Sequence, residues 1–104
     1  MKRGRDDAEL SMSMKKVHFR AVDVHDFAWC ADPTYVVEST TVGDVDVHSF
    51  YRRNNASTWA DSSLAHGVRA IEWLERKFGK YPYPQVSVCD ALLSGGMEYP
   101  MRCV

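Results

Sequence analysis

From Val17 the chain alternates: Val17, Phe19, Ala21 and Val24 are apolar while His18, Arg20 and Asp23 are polar, the period of two that predicts a half-buried strand. A nearly unbroken apolar run, Phe27-Ala28-Trp29-Cys30-Ala31, continues it. Asp32-Pro33 then punctuates the chain, because proline disfavours helix at the residue before it, and Tyr35-Val36-Val37-Glu38 opens another strand. Gly43-Asp44 reads as a turn. Beyond it Val45, Val47 and Phe50 alternate with Asp46, His48 and Ser49 until Arg52-Arg53-Asn54-Asn55 ends the pattern.

The period then changes. Ala60, Leu64, Val68, Ile71, Leu74 and Phe78 recur at steps of three and four, which predicts one helix over 56–78 with a single apolar stripe. Asn55 or Ser57 is placed to cap its start, Glu72 and Arg76 are spaced to pair, and Gly79 stands where a C-terminal cap with positive φ is usual. Trp59 and Trp73 fall outside the stripe, so more than one helix face carries apolar bulk. Tyr81-Pro82-Tyr83-Pro84 forces an extended connector, Val86 and Val88 mark a short strand reaching as far as Ala91, and Leu92-Leu93-Ser94-Gly95-Gly96 reads as a loop whose glycines are free to adopt positive φ. An extended run begins at Met97 and Glu98. Residues 1–16 hold charged residues and serines with little that packs, and read as a mobile tail.

With 104 residues, the chain has room for one modest core. Hydrophobic residues at 45% and charged residues at 26% are those of a folded water-soluble domain. A net charge of −1 offers no uniform basic field, so nucleic acid is not expected as a partner. No stretch approaches the roughly 20 apolar residues that cross a bilayer, and the charged opening residues have no apolar core of an export signal behind them. Cys30, Cys89 and Cys103 contain no Cys-x-x-Cys pair, the usage of a reducing compartment, and a cytoplasmic location is the default expectation.

Chemistry-bearing patterns are few. The histidines at 18, 25, 48 and 66 lack the spacing that sets two imidazoles on one helix face, so none is assigned to a metal. Gly-x-Ser-x-Gly and local cysteine-protease signatures are absent. Gly95-Gly96 precedes a strand-like run, whereas a phosphate-binding glycine loop needs a helix N-terminus after it. Asn55-Ala56-Ser57 is a formal glycosylation acceptor better read as a helix start, and Tyr81-Pro82-Tyr83-Pro84 is better read as a rigid turn than as a polyproline ligand.

One constellation stands apart. Arg76-Lys77-Phe78-Gly79-Lys80-Tyr81-Pro82-Tyr83-Pro84-Gln85, the strand Val86-Ser87-Val88-Cys89, and Gly95-Gly96-Met97-Glu98-Tyr99-Pro100 together resemble the zinc aminopeptidase family of aminopeptidase N and alanyl aminopeptidase. Val24-His25-Asp26-Phe27-Ala28-Trp29, with Ala31-Asp32-Pro33, resembles the segment where that family's β-rich N-terminal domain leads into its catalytic domain. The likeness runs from Val17 to Val104.

The resemblance implies an α+β fold: 17–41 as the end of the β domain, and 42–104 as the start of a thermolysin-like metallopeptidase domain. It implies that Glu98 holds the free α-ammonium of a peptide substrate, while the backbone of Gly95, Gly96 and Met97 approaches that substrate as an added strand. Tyr99 replaces the asparagine of the commonest form of the motif, so side-chain preference does not transfer from better-known members. The family's zinc site, H-E-x-x-H with a third glutamate, would lie beyond Val104, so the parent carries zinc, this chain binds none, and its 104 residues alone are expected to be inactive. No catalytic residue is expected among them. The alternative is a non-catalytic interaction or scaffold module derived from the same fold. Exposed apolar surface on an interrupted sheet is expected to favour self-association.

Overall fold

Gly43, at a φ of +57°, turns the chain tightly enough for Val42 to pair with Val45. The left-handed region costs glycine nothing, which is why a two-residue hairpin turn uses it. The computed structural model describes residues 14–24 and 26–98. In it the hairpin joins β1 (Tyr35–Val42) and β2 (Val45–Arg52), antiparallel from Tyr35↔Arg52 to Val42↔Val45. The expected domain boundary at 41/42 therefore falls at the tip of a fully paired hairpin. An Asx turn starts β1: Thr34 donates its backbone N–H and its hydroxyl to Asp32 Oδ1, at 2.7 and 2.6 Å.

A short 3-10 turn (Arg53–Asn55) leads to α1 (Ala56–Trp59) and α2 (Ser62–Phe78), and the chain returns as β3 (Gln85–Cys89), parallel to β2. The sheet order is β1-β2-β3, and a parallel neighbour reached through helix is a β-α-β crossover. The fold is α+β, as expected. Among the described residues no helix is long and apolar enough to cross a membrane.

Alternation along β2 sends Val45, Val47, Ser49 and Tyr51 into the core, where Gly67 and Ile71 of α2 meet them. Gly67 permits the close approach: a Cβ there would stand 3.2 Å from Val47 Cγ1 and 3.3 Å from Val88 Cγ2. Buried Ser49 is satisfied by the Ser63 hydroxyl, which in turn reaches the carbonyl of Trp59 at 2.7 Å.

The expected single helix is broken. Ala60 leaves the helical region with ψ 134°, and Asp61, at φ +61° and ψ −43°, makes a tight γ-turn in which the Ser62 N–H donates to the carbonyl of Ala60 at 2.6 Å. Glu38 holds the break: its carboxylate accepts the Asp61 N–H at 3.0 and 3.1 Å and the Tyr51 hydroxyl at 2.8 Å. The stripe also overruns the sheet, leaving Leu74 42% and Phe78 79% exposed. Neither Asn55 nor Ser57 caps α1 through its side chain, and Glu72 and Arg76 form no ion pair. Gly79 does end α2, at φ +94°, its N–H on the carbonyl of Glu75.

The strand expected over 17–24 does not form. A strand needs a partner for its backbone groups. β1 and β2 satisfy each other, while Val17, Phe19 and Val22 lie exposed and Asp23 bends the path at φ +58°. Met14–Lys16 of the expected tail are exposed; the rest of that expectation, and those on His25, Tyr99 and Pro100, lie outside the described residues.

Candidate functional site

β3 ends at Cys89, and the next residue is the most heavily bonded in the molecule's described part. Asp90 is 5% exposed. Its carboxylate accepts the backbone N–H of Arg52 at 3.0 Å, Arg52 Nε at 3.2 Å, Arg52 Nη2 at 2.8 Å and Asn55 Nδ2 at 2.7 Å. Its own N–H donates to the carbonyl of Phe50 at 2.8 Å, and its carbonyl accepts the Tyr35 hydroxyl at 2.7 Å. The Arg52 hydrogen bonds, opposed by burial and helped by Asn55, bring the Asp90 carboxyl down to about 2. Burial raises the Tyr35 phenol to about 12, so it stays a donor.

The Asn55 side-chain amide is thus engaged with Asp90.

From Asp90 the chain runs without regular structure to Glu98, the Leu93 N–H donating to the carbonyl of Ala91 at 2.9 Å on the way. Gly95, Gly96, Met97 and Glu98 are all exposed. Neither glycine adopts positive φ, which corrects the expected use of their conformational freedom. Nor does crowding among the described residues demand them: a Cβ at Gly95 would meet none of their atoms within 4 Å, and one at Gly96 would meet Glu98 Oε1, at an ordinary 3.7 Å. Among the described residues Glu98 takes part in neither ion pair, Arg52–Asp90 or Lys80–Asp44.

The clefts lie elsewhere. One of about 460 Å³ separates residues 20–24 from Pro82–Pro84, bridged by the Tyr83 hydroxyl on the carbonyl of Asp23 at 3.3 Å. Another lies on the outer face of α2 along His66, Arg69 and Trp73. Neither is lined by Gly95–Glu98. Among the described residues no three His, Cys, Asp or Glu side chains converge as metal ligands. His48 is instead turned to Ser39, with Nδ1 2.6 Å from the hydroxyl oxygen.

Pattern reading did not single out Asp90, Arg52, Asn55 or Glu38. The partners of these side chains lie 13 to 38 positions away, beyond any local period. The one local signal was a carboxylate directly after an apolar strand.

The sequence matches no family model, no curated protein and no solved structure.

Proposed function

We propose that this chain is a segment of a zinc-dependent aminopeptidase, in which Glu98 grips the free α-ammonium of a peptide and Gly95, Gly96 and Met97 lay their backbone along it. The supporting observation is the pair of glycines that nothing among the described residues requires. With neither positive φ nor internal crowding to explain them, a bare backbone there serves what approaches from outside. Beside them stands a carboxylate with no cation of its own among the described residues. A carboxylate facing an ammonium forms a charge-assisted hydrogen bond, and an internal residue of a longer peptide has no ammonium to offer. Removal of N-terminal residues follows from that single anchor. Zinc, the activated water and hydrolysis belong to the parent enzyme.

The experiment compares binding of tetra-alanine and its N-acetylated form to the 104-residue chain. The free peptide is expected to bind more tightly, by at most about fivefold at a site this exposed, and Glu98→Gln should bring the ratio to one. Equal affinity for both peptides contradicts the anchor. Release of alanine by the pure chain, abolished by a chelator, contradicts the inactivity of the segment. The non-catalytic module is the second reading, favoured by the exposed Trp73 and Phe78 on α2. An in-frame H-E-x-x-H downstream of Val104 decides for the enzyme.

A further inference from the structure

We propose that the outer edge of β1 is a pairing surface for a second copy of this chain, which joins antiparallel about a two-fold axis at Ser39 and makes the two sheets one. The order β1-β2-β3 leaves β1 at one edge of the sheet. Bonding along β2 fixes which β1 residues turn outward. Asp46 donates its N–H to the carbonyl of Pro84, and the carbonyl of Phe50 accepts the N–H of Asp90, so both direct their backbone groups away from their β1 neighbours Thr41 and Val37. Val37, Ser39 and Thr41 therefore present N–H and C=O to the open side. Among the described residues no backbone group takes them up.

Sheet edges are commonly guarded by lysine, proline, a bulge or a very short strand. None of these guards β1, whose eight residues pair with β2 without interruption. Its one charge does not guard it either: Glu38 lies on the face towards α2, its carboxylate engaged by the Tyr51 hydroxyl and the Asp61 N–H.

The edge is complementary to its own reverse in one register. An axis at Ser39 sets Val37 against Thr41 of the second copy and Ser39 against Ser39, so every outward residue exchanges bonds, about six in all. On the face towards α2, Glu38 then meets Thr40 and Val36 meets Val42. No like charges oppose each other. Neighbouring registers fail on charge or on backbone: an axis at Glu38 sets two carboxylates face to face, and one at Val37 sets Thr41 against Pro33, which has no N–H. An axis at Thr40 or Thr41 runs into the turn at Gly43.

The test uses the full 104-residue chain carrying Trp73→Ser/Phe78→Ser, which takes the exposed aromatic pair of α2 out of the comparison. Edge pairing buries little area, so the dimer is expected to be weak and to form at about 100 µM or above. Sedimentation equilibrium should show the mass rising there towards twice that of one chain. Adding Val37→Lys/Thr41→Lys sets lysine against lysine at both ends of the pairing and should raise the dissociation constant about tenfold. Val37→Lys/Thr41→Glu sets lysine against glutamate and should associate at least as tightly as the background. Both positions are exposed, on the face away from α2, so neither change enters the core. Hydrogen exchange gives a second reading without further variants: the amides of Val37, Ser39 and Thr41 should slow as concentration rises, while those of Val36, Glu38 and Thr40, bonded to β2, are protected throughout. A monomer at every concentration overturns the proposal, as does equal association of the two charge variants. Outward amides protected independently of concentration also overturn it, because the chain then covers its own edge.

Discussion

Replacing Gly67 by alanine sets two effects of similar size against each other. In an exposed helix interior the change stabilises by about 1 kcal/mol, the difference in helix propensity. Here the new methyl would stand 3.2 Å from Val47 Cγ1 and 3.3 Å from Val88 Cγ2, short of the roughly 3.5–4.0 Å at which carbon atoms attract. Neither neighbour yields easily: both are β-branched and stiff at χ1, and Val47 is 0% exposed. The helix must lift from the sheet by a few tenths of an ångström, and overpacking by one methyl costs about 1–3 kcal/mol. The net effect is a loss of about 1 kcal/mol, or roughly 4–8 °C in Tm for a domain of this size. Thermal unfolding followed by far-UV circular dichroism measures it, with Gly95→Ala as the reference, since a Cβ there meets nothing within 4 Å. A rise in Tm of Gly67→Ala by the full propensity gain would mean that α2 is not seated on β2 and β3 through this glycine.

The Asp90 carboxyl, lowered to about 2, makes stability depend on acid. A depressed carboxyl stabilises the fold above its unfolded value near 3.8, and the contribution is lost as pH falls from there through the folded value of about 2. With the Arg52 side chain 25% exposed, the loss is about 1–2 kcal/mol after allowance for solvent screening. Urea midpoints at pH 5 and pH 2.5 should show it in the parent chain and less of it in Asp90→Asn; an equal loss in both refutes the assignment. Trp73 and Phe78, 50% and 79% exposed and in edge contact at 6.3 Å, should promote self-association. Sedimentation of Trp73→Ser/Phe78→Ser against the parent chain is expected to show a shift towards monomer, and unchanged association places the contact elsewhere.

How far the fold could be read depended on whether each element was specified locally. The hairpin was legible because alternation and a turn glycine coincide at Val42-Gly43-Asp44-Val45, and β3 because two valines follow a double proline. The strand at 17–24 failed on the same test, since alternation describes a face and says nothing of a partner for the backbone. The helix break was missed because Ala60 and Leu64 keep a spacing of four across it. Asp61-Ser62 nonetheless carries a start signal of its own, an aspartate at the N-cap. Of the candidate site, the motif around Glu98 rests on a resemblance to a family alone. The bonded set at Asp90 was not legible, because Arg52, Asn55 and Asp90 meet only once the crossover returns β3 to the side of β2.

The two carboxylates of this region stand in opposite surroundings. Asp90 is buried against a guanidinium and an amide, its charge fully engaged within the fold. Glu98 stands in solvent, where an ion pair with a peptide ammonium gains little over hydration. The same pair out of water, with both charges hydrogen-bonded, is worth about 1.5–3 kcal/mol. Strong selection for free N-termini therefore requires surface that covers Glu98 once a peptide is bound, and among the described residues neither the 460 Å³ cleft nor the face of α2 supplies it. Under the proposed reading such walls would come from the rest of a parent enzyme, so the peptide preference of this chain alone should be small and still vanish with Glu98→Gln.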